Sequence, residues 1–337
     1  MDFTETESQA DLAGLVKKIF TERITATRLA DIESGPDRFD AGLWADLAGA
    51  GVLAAALPES LGGAGLGPLE QCSVLIEAGR ALAPVPYLAS AVLGAGAIAR
   101  FGTPAQQEQW AAPAGRGELI ITAALDEEAV PFAPLAKLIL VPVDGTVYLV
   151  PPDADGVTVE RQEVTGGGSA GRVTLDRSRL GDYESLGDGA AEWLLATATV
   201  GLCAHQAGVT AKALELTAEY ARTREQFGKA IGAFQAVAQR LADAYIDVEA
   251  IRLTMWQAAW RLAEGLDASA EIATAKFWAA DGGHRVAHTA VHVHGGVGID
   301  TSAETHRYFT AAKQNEFALG GATAQLLSIG AGLAASA

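Results

Sequence analysis

Arg222 and Arg224 stand just ahead of Glu225-Gln-Phe-Gly-Lys-Ala-Ile-Gly-Ala-Phe-Gln235. A guanidinium presents paired donors that match two phosphate oxygens, and glycines at 228 and 232 let a backbone turn or be closely approached. An arginine at the mouth of a helix, beside an aromatic and a glycine, suits a phosphate diester. A solvated arginine at a helix start satisfies the same spacing, so both alternatives stay open on the residues alone.

Two other clusters could carry chemistry. Asp281, His284, His288 and His292 fall three and four residues apart on one helical face and are of metal-ligating type. A straight helix spreads the first and last of them over about three turns, so only adjacent histidines could share one ion; no metal is expected. Pro58-Glu-Ser-Leu-Gly-Gly-Ala-Gly-Leu-Gly67 is glycine-rich. It lacks a Gly-Lys-Ser/Thr ending and no strand precedes it, so a turn is expected rather than a phosphate cradle.

The elements that must position these residues follow from periodicity. Ile231, Phe234, Val237, Ala238, Leu241, Tyr245 and Val248 recur at three- and four-residue intervals, predicting a long helix with that face buried. Upstream, residues from about 8 to 117 alternate as successive helices. Thr103 is placed as an N-cap, with Pro104 at the first helical position and Gln106 completing a capping box. From Glu118 the period changes to two, with β-branched residues and turns at Asp144-Gly145, Asp155-Gly156 and Gly166 to Gly168. A small antiparallel β-domain ending near Gly181 is predicted. Beyond it come a helix or two over Ala190 to Tyr220, the long helix, a third over Ala268 to Val293, a break at Gly295-Gly-Val-Gly298, and an apolar segment from Phe317 to Leu333.

The expected fold is therefore mainly α with a small β-domain. It comprises an N-terminal helical domain (1–117), a small middle β-domain (118–181) and a C-terminal four-helix bundle (182–337). A chain of 337 residues can bury a large shared core. Its net charge of −17 and pI near 4.7 argue against nucleic acid or an anionic membrane as partners. Cys72 and Cys203 lie in apolar helical contexts and read as buried thiols of a reducing cytoplasm. The acidic start lacks a signal-peptide pattern, and no apolar run approaches a membrane span, so a cytoplasmic protein without membrane insertion is expected.

Arg224-Glu-Gln-Phe-Gly-Lys-x-Ile, followed by Phe234-Gln235 and Leu241-Ala242-Asp243, resembles the acyl-CoA dehydrogenase family. So do, in order, Trp44-x-x-Leu-Ala-x-x-Gly51, the Pro58-Glu-Ser-Leu-Gly-Gly segment, Gly79-Arg-Ala-Leu-Ala-Pro84 and Gly102-Thr-Pro-Ala-Gln-Gln107; the resemblance spans nearly the whole chain. It implies that Arg224, Gln226, Phe227 and Gln235 reach the FAD of a neighbouring subunit, contacting its pyrophosphate and nearby groups. His292-Val293-His294-Gly295-Gly296 stands where the family has Gln-x-x-Gly-Gly, a turn lying against the adenosine of FAD.

The resemblance also implies what is missing. The family's catalytic glutamate, which takes the α-proton of the thioester while a hydride leaves for the flavin, aligns here with Leu319. The alternative position on the preceding helix aligns with Ala198. Glu192, Glu304 and Glu316 are the nearby carboxylates that could substitute. The Thr-Glu-Pro-x-x-Gly-Ser-Asp stretch that lines the flavin is replaced by Leu125-Asp-Glu-Glu-Ala-Val-Pro131, the flavin-covering Trp-x-Thr/Ser strand has no counterpart, and the usual Arg-Asp is Thr310-Ala311. The chain is thus similar to the short, glutamate-lacking subunit of actinobacterial α2β2 steroid side-chain acyl-CoA dehydrogenases. That likeness implies a catalytic partner subunit sharing FAD, an acyl-CoA substrate, and an electron-transfer flavoprotein or similar acceptor. Two alternatives remain: a self-sufficient homo-oligomeric FAD enzyme with an unusual base such as Glu192, and a scaffold that has lost cofactor contact.

Overall fold

The computed structural model describes residues 4–335. The first three residues of the acidic start and the last two of the alanine-rich end lie outside them. Packing groups the chain into two units. One comprises Thr4–Val74 and Pro84–Gly201, the other Leu75–Ala83 and the chain from Leu202 onward.

In the first unit, helices start where small polar residues can cap them. α1 (Glu7–Arg23) opens on a Thr6/Gln9 capping box, α2 (Ala26–Ser34) on Thr25, and α3 (Ala41–Gly49) on Asp40. Asp40 is buried and accepts the Arg28 fork at 2.7 and 2.8 Å as well as the Leu43 amide at 3.0 Å. These donors hold its carboxyl below the usual range. α4 (Pro68–Ala81) runs across the unit boundary. A π-helical stretch, Tyr87–Ala95, leads into α5 (Gly96–Phe101). α6 (Pro104–Gln106) begins on the predicted Thr103/Gln106 box, with bonds of 2.9 and 3.3 Å, and continues through a second π-turn into α7 (Ala112–Gly115). The glycine-rich turn at 58–67 spends its amides internally. Gly62, Gly63 and Gly65 donate to the carbonyls of Glu59, Pro58 and Leu57, leaving no nest of free N–H groups for a phosphate.

The strands are β1 (Ile121–Ala123), β2 (Val130–Pro131), β3 (Leu138–Val143), β4 (Thr146–Val150), β5 (Val157–Arg161) and β6 (Ala170–Leu175). They form two sheets ordered β1-β3-β4 and β2-β6-β5 around Ala124, Val130, Ile139, Val141, Val150 and Val173. The purely antiparallel arrangement predicted from sequence is corrected at one edge: β1 and β3 pair in parallel, Ile121 opposite Leu138. The chain leaves β1, adds β2 to the other sheet and returns through a 3-10 turn at Ala133–Leu135. That excursion is the crossover a parallel pair requires.

The second unit is helical. α8 (Ala190–Thr223) is a single helix of 34 residues whose later part belongs here. A hairpin, β7 (Glu225–Gln226) and β8 (Lys229–Ala230), leads to α9 (Gln235–Ala263), α10 (Ser269–His294), α11 (Thr305–Phe317) and α12 (Ala322–Ala335). Val209, Ala213, Ala244, Val248, Val286, Ala290, Tyr308 and Ala312 form the core shared by α8 to α11. The segment Leu75–Ala83 crosses α8 at a glycine pair. A Cβ on Gly208 would lie 1.9 Å from the Ile76 carbonyl oxygen, and one on Gly79 would lie 2.1 Å from that of His205.

Two sequence expectations change in this unit. The apolar segment from Phe317 to Leu333 is not continuous, because Leu319 and Gly320 adopt φ of 57° and 89° and separate α11 from α12. The face assigned to α9 is also displaced. Ala244, Asp247, Val248, Ile251, Met255, Ala258 and Ala259 are buried, whereas Ala238 is exposed and Tyr245 is 60 % exposed. Periodicity finds an apolar stripe but not which part of it this chain itself covers.

Candidate cofactor-contact site

The end of α8 positions the arginine hairpin. The Arg224 amide donates to the Tyr220 carbonyl at 2.8 Å, closing the last helical turn, and the Ile231 amide donates to the Arg224 carbonyl at 2.8 Å, folding the hairpin back. β7 and β8 pair Glu225 with Ala230 and Gln226 with Lys229. Their two-residue loop, Phe227-Gly228, has φ of 54° and 79°. A left-handed pair of this kind matches the twist of the flanking strands, and glycine adopts it freely while phenylalanine does so at a cost.

The two arginines, equivalent by residue type, separate here. Arg222 is paired with Glu219, one turn back. Arg224 is exposed and has no acidic partner among the described residues, so its guanidinium is open to a ligand. Phe227 is 93 % exposed and meets Phe234 edge to face at 6.2 Å. Lys229 Nζ stands 4.3 Å over the Phe234 ring. Gln226 Nε2 donates to the Glu225 carbonyl at 2.7 Å, and Gln235, the first residue of α9, is exposed. Arg224, Gln226, Phe227 and Gln235 thus belong to one exposed hairpin and the helix start that follows it.

The second segment ends α10. His292 is exposed, but the side chains of Val293 and His294 are buried within this chain. His294 Nδ1 donates to the Ala290 carbonyl at 2.8 Å, its Nε2 lies 3.4 Å from the Thr305 hydroxyl, and its ring stacks on Tyr220 with centroids 4.4 Å apart. Gly295 has φ 63° and ψ −140°, a conformation essentially reserved for glycine. A Cβ added at Gly295 or Gly296 would enter open space. Of residues 292–296, the His292 side chain and the backbone are therefore what a ligand could meet; Val293 and His294 can contribute only main-chain groups. The residue types fit a dinucleotide, with a free guanidinium for a pyrophosphate and a bare backbone for a flat base.

The histidine stripe is occupied otherwise. Asp281 and Asp247 both pair with Arg285. His284 Nδ1 lies 3.2 Å from both Glu316 oxygens and 3.0 Å from Lys313 Nζ, while its ring sits 4.3 Å from that of His288. Among the described residues no group of three histidine, cysteine or acidic side chains is arranged to hold a metal ion.

At the two positions aligned with the family's base, Leu319 is half-buried and Ala198 is buried. Of the substitute carboxylates, Glu192 is exposed in the first turn of α8. Glu304 lies 3.5 Å from the Tyr308 hydroxyl, and Glu316 is neutralised by Lys313 at 2.6 Å. A polar cluster missed from sequence runs through the bundle core. Lys276 is fully buried and donates to the carbonyls of Asn315 and Glu316, both at 3.1 Å, capping the end of α11. Gln206 reaches the Ala279 carbonyl at 3.1 Å and accepts from Asn315 Nδ2 at 2.8 Å. The only signal for it was a lysine amid Ala273-Thr-Ala-Lys-Phe-Trp-Ala-Ala280, on a face otherwise fit for burial.

Comparison with known proteins identifies this scaffold as that of a dehydrogenase family. The acyl-CoA dehydrogenase N-terminal domain matches residues 6–118 and the acyl-CoA dehydrogenase C-terminal domain matches residues 187–334. The chain belongs to the acyl-CoA dehydrogenase family. It is 48 % identical to acyl-CoA dehydrogenase FadE27 of Mycobacterium tuberculosis, over 99 % of each chain. Among solved structures it is similar to a chain of the ChsE4-ChsE5 complex from Mycobacterium tuberculosis, with TM-score 0.93, 49 % identity and 99 % of both chains covered. It is also similar to a chain of a Tcur3481-Tcur3483 steroid ACAD variant, with TM-score 0.92, 38 % identity and 98 % of both chains covered.

Proposed function

We propose that this chain is the non-catalytic subunit of a heteromeric acyl-CoA dehydrogenase and completes the FAD site of a catalytic partner in an α2β2 assembly. The observation that carries the reading is a contrast within one molecule. Arg224 is exposed and has no acidic partner among the described residues, while both base positions hold hydrocarbon side chains, Leu319 and Ala198. An arginine that reaches another subunit's pyrophosphate keeps its value when its own chain has no base.

In this role Arg224 binds and orients the pyrophosphate, and Gln226, Phe227 and Gln235 shield and position the groups around it. His292 and the 293–296 backbone meet the adenosine. FAD, when bound, supplies the acceptor for the hydride leaving the β-carbon of the thioester; the α-proton goes to a carboxylate of the partner. The likeness to chains of two two-protein complexes, one described as a steroid ACAD, supports a mixed subunit pair and a steroid side-chain CoA thioester as substrate. An electron-transfer flavoprotein or similar carrier is the proposed electron acceptor, and the cytoplasm the proposed compartment.

The test is to purify the chain alone and co-expressed with candidate catalytic dehydrogenases, and to count flavins. One FAD per mixed subunit pair, with none retained by the isolated chain, is the expected result. Stoichiometric flavin and CoA-thioester turnover by the isolated chain would instead establish a self-sufficient enzyme. In the complex, Arg224→Ala removes a charge-assisted hydrogen-bond pair and weakens FAD retention by roughly 1.5–3 kcal/mol, tenfold or more in Kd. Unchanged retention would leave this chain a scaffold without cofactor contact.

A further inference from the structure

We propose that the stacked rings of Tyr220 and His294 are a positioning strut that holds the two cofactor-contact segments in register, the Arg224 hairpin on α8 and the Gly295-Gly296 turn on α10. The inference rests on the flavin-contact reading above and adds to it residues that touch no ligand. Tyr220 accepts the Arg224 amide at 2.8 Å, so a shift of Tyr220 carries Arg224 with it. His294 directly precedes Gly295, whose amide closes the helix onto the carbonyls of His292 and Val291. The rings meet at 4.4 Å with planes 23° apart, which joins the last turns of two helices that the chain separates by the whole of α9.

The histidine ring is held from two sides. A carbonyl only accepts, so the 2.8 Å contact with the Ala290 oxygen places the hydrogen on Nδ1. Nε2 is then the acceptor and faces the Thr305 hydroxyl on α11 at 3.4 Å. With the ring plane set by α10 and α11, the tyrosine is ordered against it, and the hairpin follows the tyrosine. An aliphatic pair would fill the same volume without fixing a plane, which is what distinguishes a strut from ordinary packing.

Hydrogen exchange on the isolated chain and FAD release from the complex test this together. Tyr220→Leu speeds amide exchange at Arg224, Ile231 and Gly295 by about tenfold while Ile251 and Met255, in the buried part of α9, keep their rates. It speeds FAD release by about three- to tenfold, and Tyr220→Phe, which keeps the stack, restores both. Because the strut acts on the hairpin through Arg224, Tyr220→Leu adds less in an Arg224→Ala background than alone. His294→Gln, which keeps a donor but loses the ring, gives the same pattern and carries the test if Tyr220→Leu does not fold. The proposal is overturned if these amides and FAD release stay at wild-type values, if Ile251 and Met255 loosen equally, or if the two substitutions are fully additive. Should Arg224→Ala itself leave release unchanged, the flavin-contact reading fails, while the exchange pattern still decides whether the strut exists.

Discussion

At the scale of single residues, neighbours of the same type have different duties. His205 Nδ1 accepts from Asn315 Nδ2 at 3.0 Å, and burial pushes its pKa down to about 4. An unfolded histidine titrates near 6.5. Between those values the unfolded chain binds a proton that the folded chain refuses. Stability is therefore fully present above the unfolded value and is lost progressively as pH falls toward the folded one. His288, also lowered by burial, adds to the slope with the same sign. Thermal melts between pH 7 and 5 are expected to show a falling Tm, and His205→Gln is expected to flatten that fall; an unchanged slope would place the titration elsewhere. None of this was legible in the sequence, where His205 is one polar residue in an apolar helix. The resemblance singled out Arg224; what the structure adds is the contrast with Arg222, whose guanidinium is taken by Glu219 one turn back.

At the scale of elements, backbone contact is the sharpest constraint. Gly208→Ala would force a Cβ against the Ile76 carbonyl, and relieving it must move α8 or the segment beneath it. Destabilisation of about 1–3 kcal/mol or more is expected, visible as a Tm lower by roughly 1–5 °C. Gly330→Ala, in α12 with nothing near its Cβ, should be neutral or stabilising by up to about 1 kcal/mol. Equal effects from the two would remove the crossing as a cause. Element identity was readable wherever local chemistry decides it, as at the Thr103 cap and the strand turns. It failed where tertiary context decides. α11 buries Thr305, Tyr308, Ala311, Ala312 and Asn315, a face too polar to announce itself. β1 becomes parallel only because β2 is recruited by the other sheet.

At the scale of the whole molecule, a net charge of −17 keeps the chain in solution, yet it exposes large apolar side chains in the second unit. Phe227, Tyr245, Ile246, Phe317, Leu326, Leu327 and Leu333 are all more than half exposed, and none of α12 is buried although it lies against α10. Isolated chains are expected to bind a hydrophobic dye and to associate with rising concentration, as sedimentation would show; co-expression with the proposed catalytic partner should suppress both. Leu327→Glu is expected to weaken assembly without lowering the Tm of the isolated chain, and a drop in that Tm would mean the residue serves the chain's own core. The uncovered final helix also bears on supply. In the proposed mixed assembly, the 14 residues of this helix are a face that the second subunit would cover. Made in excess over the proposed partner, the chain would leave this helix uncovered and open to proteases, so matched synthesis of the two subunits would favour its survival.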